Sequence, residues 1–251
     1  MKCGRKAIMW IALALCLACA VLLALALHSR AEHAKPASKD PEGAIAAQED
    51  EDRTVDVPVD FAAWQERNPD VYAWIEYPGT NVDYPIVQSA EDDAYYLRRD
   101  IDGKEAVAGS LYTEHTYNSK TFDDPVTVIY GHNMANRTMF GGLQSHIEAA
   151  DLASTEEYFY VYLPGRILTY RVVGGAPGDD AHILYYNDFS DPTGFSNYFG
   201  NLYAQSGGHV NLPGLLRPSP DDRVVILATC MNGEKYLRYL IIGVLTDDTA
   251  D

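Results

Sequence analysis

Thiols are scarce once the N-terminal stretch is past. Cys3, Cys16 and Cys19 lie in or beside the first apolar run, and Cys230 stands alone in the rest of the chain. No internal disulfide can form there, and one cysteine cannot build a structural zinc site. A lone thiol in such a domain is either a packed core residue or a reactive group. Acidic residues are missing from residues 1–30, whereas basic charge is thin elsewhere. Four of the 19 Lys and Arg fall in those first 30 residues, leaving 15 against 36 Asp and Glu. A domain with that excess repels phosphate backbones, which argues against nucleic acid as a partner. It suits solubility, and it also suits cationic or amine-bearing partners. No spacing of Asp and Glu reads as a calcium loop, so neither metal nor cofactor is expected. Phe (7) and Trp (3) are few beside 18 Tyr, 19 Gly and 13 Pro, a balance that favours strands and turns.

The chain divides into three regions. Residues 7–27 are 21 consecutive uncharged, mostly apolar residues behind Lys2, Arg5 and Lys6. As a helix they extend roughly 30 Å, the thickness of the hydrocarbon layer. Residues 1–30 read as a signal anchor. A cleaved signal peptide ending near Ala24-Leu25-Ala26 and a lipoprotein cysteine at Cys19 are the competing readings. Arg30, Lys35 and Lys39 nearly balance the preceding charges, so export of the C-terminal part rests on signal-sequence form. That form places the chain as a single-pass protein of the cell membrane with its larger domain extracytoplasmic. Residues 31–56, rich in Ala, Glu, Asp, Lys and Pro, read as a flexible polar spacer. Residues 57–251 are the globular domain, without an internal repeat or a coiled coil.

In that domain Asp60 caps a short helix through Arg67, ended by Asn68-Pro69. Eight β-like runs come after it: Tyr72–Tyr77, Val82–Gln88, Gly109–Glu114, Val126–Tyr130, Tyr158–Leu163, Ile167–Gly174, Arg223–Thr229 and Tyr239–Leu245. Turn signals such as Pro78-Gly79, Asp102-Gly103, Asp124-Pro125 and Pro164-Gly165 separate them. Asp191 caps a second helix whose Phe195, Tyr198, Phe199, Leu202 and Tyr203 share a face, and a third covers Met139–Glu148. Eight strands with few helices predict a closed or nearly closed barrel, since closure removes exposed edges.

Three segments carry chemistry. The run Val126–Tyr130 delivers His132 just past Gly131. The run Val224–Thr229 delivers Cys230. Arg238 stands eight residues later, beside the last strand. A thiolate attacks a carbonyl, a histidine takes the thiol proton and returns it to a leaving amine, and a guanidinium stabilises the oxyanion. Taken singly, each residue has a structural reading: a packed cysteine, a structural histidine, a solvated arginine. Taken together, in order, they form a set for thiol-based acyl transfer.

The same segments resemble the sortases, class B in particular, over residues 57–246. Tyr130-Gly131-His132-Asn133-Met134 resembles the family's histidine motif, and Met139-Phe140-Gly141 with Leu143 resembles the class B sequence just after that motif. Leu227-Ala228-Thr229-Cys230 matches the Leu-x-Thr-Cys signature. Asn68-Pro69-Asp70, Trp74-Ile75, Asp83-Tyr84-Pro85-Ile86-Val87-Gln88, Tyr95-Tyr96-Leu97 and Ala108-Gly109-Ser110 are also similar to class B sequence. Ile226, Ala228, Met231 and the short step from Cys230 to Arg238 depart from the best-known patterns.

The resemblance implies an eight-stranded sortase β-barrel and a cysteine transpeptidase. Cys230 would be the nucleophile, His132 the general acid and base, and Arg238 the oxyanion or substrate stabiliser. Leu97, Tyr130 and Thr229 would line the substrate groove. It implies surface proteins bearing a C-terminal sorting signal as substrates, cleaved after Thr, with an Asn-Pro-x-Thr type favoured. The acceptor would be an amine of a cell-wall precursor (a lipid II peptide) or of a pilin, outside a Gram-positive membrane. Thiol chemistry alone equally serves an extracytoplasmic cysteine peptidase or an L,D-transpeptidase-like enzyme. An anchored surface-binding domain with Cys230 in its core is the non-enzymatic alternative.

Overall fold

A computed structural model of the chain describes residues 55–234 and 236–250. The expected anchor (1–30) and nearly all of the spacer (31–56) lie outside the described residues. Among the described residues no helix is long and apolar enough to cross a membrane.

Helix α1 (Phe61–Arg67) begins as the sequence predicts. The Asp60 carboxylate accepts the Ala63 N–H at 3.0 Å, and the Asn68 N–H closes the last turn on the Trp64 carbonyl. The strands are β1 (Val71–Tyr77), β2 (Val82–Val87), β3 (Leu111–Tyr112), β4 (Val126–Tyr130), β5 (Tyr158–Leu163), β6 (Arg166–Asp179), β7 (Val224–Cys230) and β8 (Leu237–Asp248). They close into a barrel in the order β1-β2-β3-β4-β7-β8-β6-β5. The β2–β3 and β4–β7 pairs are parallel and the remaining described pairs antiparallel. The expected barrel is therefore present.

Strand bounds differ mainly where chain neighbours override local pattern. β3 shrinks to two residues. β6 runs on through Pro177 because β8 pairs with it along its whole length, across two register shifts. The helix expected over Met139–Glu148 begins later, as α2 (Leu143–Ala149). Arg137 and Met139 hold positive φ, Asn133 bridges Met139, and Gly142 at φ +94° precedes the first turn, so the segment between is a compact loop. A four-residue helix, α3 (Ile183–Tyr186), was not foreseen. The Asp191-capped helix, α4 (Pro192–Tyr203), was.

β7 shows how the site is supported. Val225 and Leu227 belong to the cluster filling the barrel with Ile75, Phe159, Tyr170 and Ile241. Val224, Ile226 and Ala228 belong to a second cluster, packed under Phe195, Phe199 and Leu202 of α4. Both faces are covered, so the strand reads as a continuous apolar run instead of an alternation. Cys230 is in phase with Ala228 and Ile226, and so it emerges on the outer face, beyond the edge of α4's cover.

Candidate active site

Three neighbouring strands bring the three chemical residues into one row. β4 and β7 run in parallel, with Tyr130 opposite Ala228 as the last paired position. Two residues further, past the end of the ladder, His132 lines the same cavity as Cys230. Across the antiparallel β7–β8 pair, Cys230 lies directly opposite Arg238. Arg238 is in phase with Leu240 and Ile242, which pack in the outer cluster. Neighbouring strands are about 4.8 Å apart, so the side chains project side by side. All three line one cavity of about 230 Å3.

Cys230 is exposed. That removes the premise of the packed-core reading. His132 and Arg238 are half-buried. Arg238 makes no ion pair with a carboxylate among the described residues, and its one hydrogen bond, from Nη1 to the Leu237 carbonyl, is long at 3.4 Å. Its remaining guanidinium donors have no protein partner among the described residues, and such a fork can bind an anion.

His132 has a defined orientation. Its Nε2 lies 2.7 Å from the Leu97 carbonyl oxygen. A carbonyl only accepts, so Nε2 carries the proton and Nδ1 is the nitrogen left for proton exchange. Leu97 sits in the short 310 turn Tyr95–Arg98. That turn is shaped by Gly109, at φ +56°, where a Cβ would come within 2.5 Å of the Leu97 carbonyl oxygen. Ser110 adds a backbone hydrogen bond to Tyr96 at 3.0 Å. Gly131 serves on the other side. A Cβ there would overlap the side chains of Leu111 and Phe140, so only glycine lets β4 pass close enough to present His132.

The groove residues expected from sequence divide. Leu97, 38% exposed, lines the cavity and supplies the carbonyl that holds His132. Tyr130 lines it too, its ring 5.4 Å from that of Tyr112. Burial pushes the Tyr130 phenol well above its ordinary value, so it stays neutral. Thr229 borders the cavity but is 1% exposed, with its hydroxyl buried and in phase with the barrel interior. Only its backbone faces the groove.

Several site residues were missed. Glu114, at the end of the run that became β3, is buried, with Oε2 2.9 Å from His182 Nε2. Burial raises its carboxyl above the ordinary value, while the His182 ring and the Tyr130 hydroxyl pull the other way. His182 accepts the Tyr185 N–H at Nδ1, capping α3, and packs against Tyr117 at 4.7 Å between ring centres. Asp179, Asp180 and Ile183 complete that wall. These residues precede or open the long β6–β7 connection, whose sequence shows no sign of which strand it will fold over. The cavity thus has Cys230, His132 and Arg238 at one end and a wall of acidic and aromatic groups at the other.

No protein-family model matches the chain. Among curated proteins, it is 30% identical over 174 residues to sortase B of Listeria monocytogenes, covering 68% of this chain and 67% of that one. Among solved structures, a class B sortase of Streptococcus pyogenes involved in pilus biogenesis superposes with a TM-score of 0.60. It is 26% identical, over 75% of this chain and 98% of that one. Sortase B of Clostridium perfringens gives a TM-score of 0.63 at 24% identity, over 74% of this chain and 86% of that one.

Proposed function

The chain belongs to the class B sortases, which are cysteine transpeptidases, and from that premise we propose that Cys230, His132 and Arg238 carry the acyl transfer. The observation that supports it is the single row these side chains make on adjacent strands, in one cavity.

The substrate is a protein bearing a C-terminal sorting signal. It lies in the groove with the scissile carbonyl, that of Thr, over Cys230. His132 Nδ1 takes the thiol proton, and the sulfur attacks the carbonyl carbon. The negative charge that develops on the carbonyl oxygen meets the Arg238 guanidinium. Collapse breaks the C–N bond, the His132 proton passes to the leaving amine, and a thioester remains on Cys230. An acceptor amine then attacks that carbonyl, gives its proton to His132 Nδ1, and the thiolate leaves and recovers the proton. A new amide is released. Throughout, the Leu97 carbonyl accepts from Nε2, which leaves Nδ1 as the nitrogen that exchanges the proton. A groove rimmed by Leu97, Tyr130 and the Glu114–His182 wall suits a peptide with a polar residue before Pro, in keeping with an Asn-Pro-x-Thr type of signal. The acceptor is an amine of a cell-wall precursor or a pilin, and residues 1–30 hold the enzyme at the outer membrane face.

The test is mass spectrometry of the enzyme mixed with a panel of signal peptides, with and without an added amine. The expected result is an acyl adduct on Cys230, consumed to ligated product when amine is present. Cys230→Ala, folded and still cleaving, would remove Cys230 as nucleophile. Free acid alone, whatever the amine, would make the enzyme a peptidase.

A further inference from the structure

The β4–β7 ladder stops one step short of the reacting pair. Its last paired position is Tyr130 with Ala228, and its last hydrogen bond runs from the Gly131 N–H to the Ala228 carbonyl at 3.1 Å. Beyond that point no backbone rung among the described residues sets the separation of His132 from Cys230. A side chain stands in the missing place. Asn133 Nδ2 donates to the Cys230 carbonyl at 2.8 Å and to Asn232 Oδ1 at 2.9 Å. The first of these acceptors is a carbonyl, so the NH2 end of the carboxamide must face β7.

The bracket is itself held from behind. The Asn232 N–H donates to Gln144 Oε1 at 3.0 Å, and Gln144, 4% exposed on α2, donates from Nε2 to Glu148 Oε1 at 2.8 Å. On the histidine side, the Phe140 N–H donates to the His132 carbonyl at 3.0 Å. On the cysteine side, the Met231 N–H donates to the Leu237 carbonyl at 3.1 Å. The residue next to His132 therefore grips the carbonyl of Cys230 itself, with both ends anchored to packed structure.

We propose that Asn133 is a positioning residue: its carboxamide replaces the absent ladder rung and fixes the distance between the His132 imidazole and the Cys230 thiol. This rests on Cys230 and His132 being the reacting pair. Removing the bracket leaves both reacting groups present but lets the two strand ends drift apart. Misplacement of that kind slows the chemical step while leaving the peptide groove, walled by other residues, as it was.

Two variants of the full chain test it. Asn133→Ala deletes both hydrogen bonds. Asn133→Asp keeps the shape and sets an oxygen against two oxygens. For both, kcat for transfer from a signal peptide is expected to fall about 10- to 100-fold with KM nearly unchanged. The pH profile of kcat shifts as thiol and imidazole uncouple, and the melting temperature stays within about 3 °C. Asn232→Ala, which keeps the contact to the Cys230 carbonyl, loses less. Cys230→Ala runs alongside. If it is dead while either folded Asn133 variant keeps kcat and pH profile, the positioning role is overturned and the nucleophile stands. If Cys230→Ala still cleaves, the reading of the reacting pair fails instead. A loss expressed in KM overturns the positioning role, as does unfolding of both Asn133 variants, since the carboxamide would then be a requirement of the fold.

Discussion

Asp248 offers the sharpest test of how the barrel is held, because its surroundings are fully specified. It ends β8, and its side chain is 3% exposed. Its two oxygens take Arg166 in a forked pair, from Nε at 2.9 Å and Nη2 at 2.6 Å. Arg223 Nη2 adds a third charged donor at 2.8 Å, and the Ala250 N–H a fourth contact at 3.1 Å. Asp123, more exposed, accepts from both arginines. The Arg166 hydrogen bonds, outweighing the opposing effect of burial, hold the Asp248 carboxyl well below the ordinary range.

Asp248→Asn keeps the shape and places an amide NH2 against a guanidinium. Breaking one side of a buried ion pair costs about 3–5 kcal/mol. Asp123 remains to accept, so about 2–3 kcal/mol is the expected loss at neutral pH. For a domain of this size that lowers the melting temperature by about 4–12 °C. The pH dependence has a definite sign. The folded carboxyl titrates below the unfolded value of about 3.9, so its contribution is complete well above that value, starts to shrink as pH falls through it, and is gone only below the lower folded value. Urea melts of the wild type and Asp248→Asn across acid and neutral pH measure this. Their difference should be flat from about pH 6 upward and shrink below about pH 4. A loss under about 1 kcal/mol at pH 7, or a gap that stays constant into acid, would refute the reasoning. Transfer activity per folded molecule should not change, because Asp248 lies ten residues along β8 from Arg238, about 33 Å away.

Two further outcomes concern the site itself. Arg238→Lys keeps the charge but loses the planar fork, and kcat should fall about 10²- to 10³-fold without a change in melting temperature; activity near wild type would remove the guanidinium from oxyanion stabilisation. Gly131→Ala forces a methyl into Leu111 and Phe140, both fully buried, and should cost about 1–3 kcal/mol in urea melts. It should also slow peptide transfer by displacing His132, and unchanged kinetics would show that β4 yields there freely.

Much of this protein is written locally. The Asp60 and Asp191 caps, the apolar runs that became β4, β5 and β7, and the turns at Pro78-Gly79 and Pro164-Gly165 depend on neighbours a few residues away. They could be read from propensity and period. So could His132 and Cys230, because one stands just past a recognisable strand and the other ends one. Leu97 was expected from resemblance as a groove residue, but its carbonyl's hold on His132 was not, since a backbone contact leaves no trace in residue type. Asn133 was visible in the histidine motif without a reason for it.

What the chain's own order determined, then, is which segments extend, where they stop, and which reactive groups stand at their ends. Tertiary structure alone decided that β4 and β7 lie side by side, across 93 intervening residues, in a register that ends with Tyr130 opposite Ala228. It also decided that Glu114 meets His182, that Thr229 turns inward, and that Asn133 bridges two strand ends. Hydrogen-bonding partners and strand neighbours are properties of closure, and closure is settled by packing among residues far apart in sequence, which no local pattern encodes.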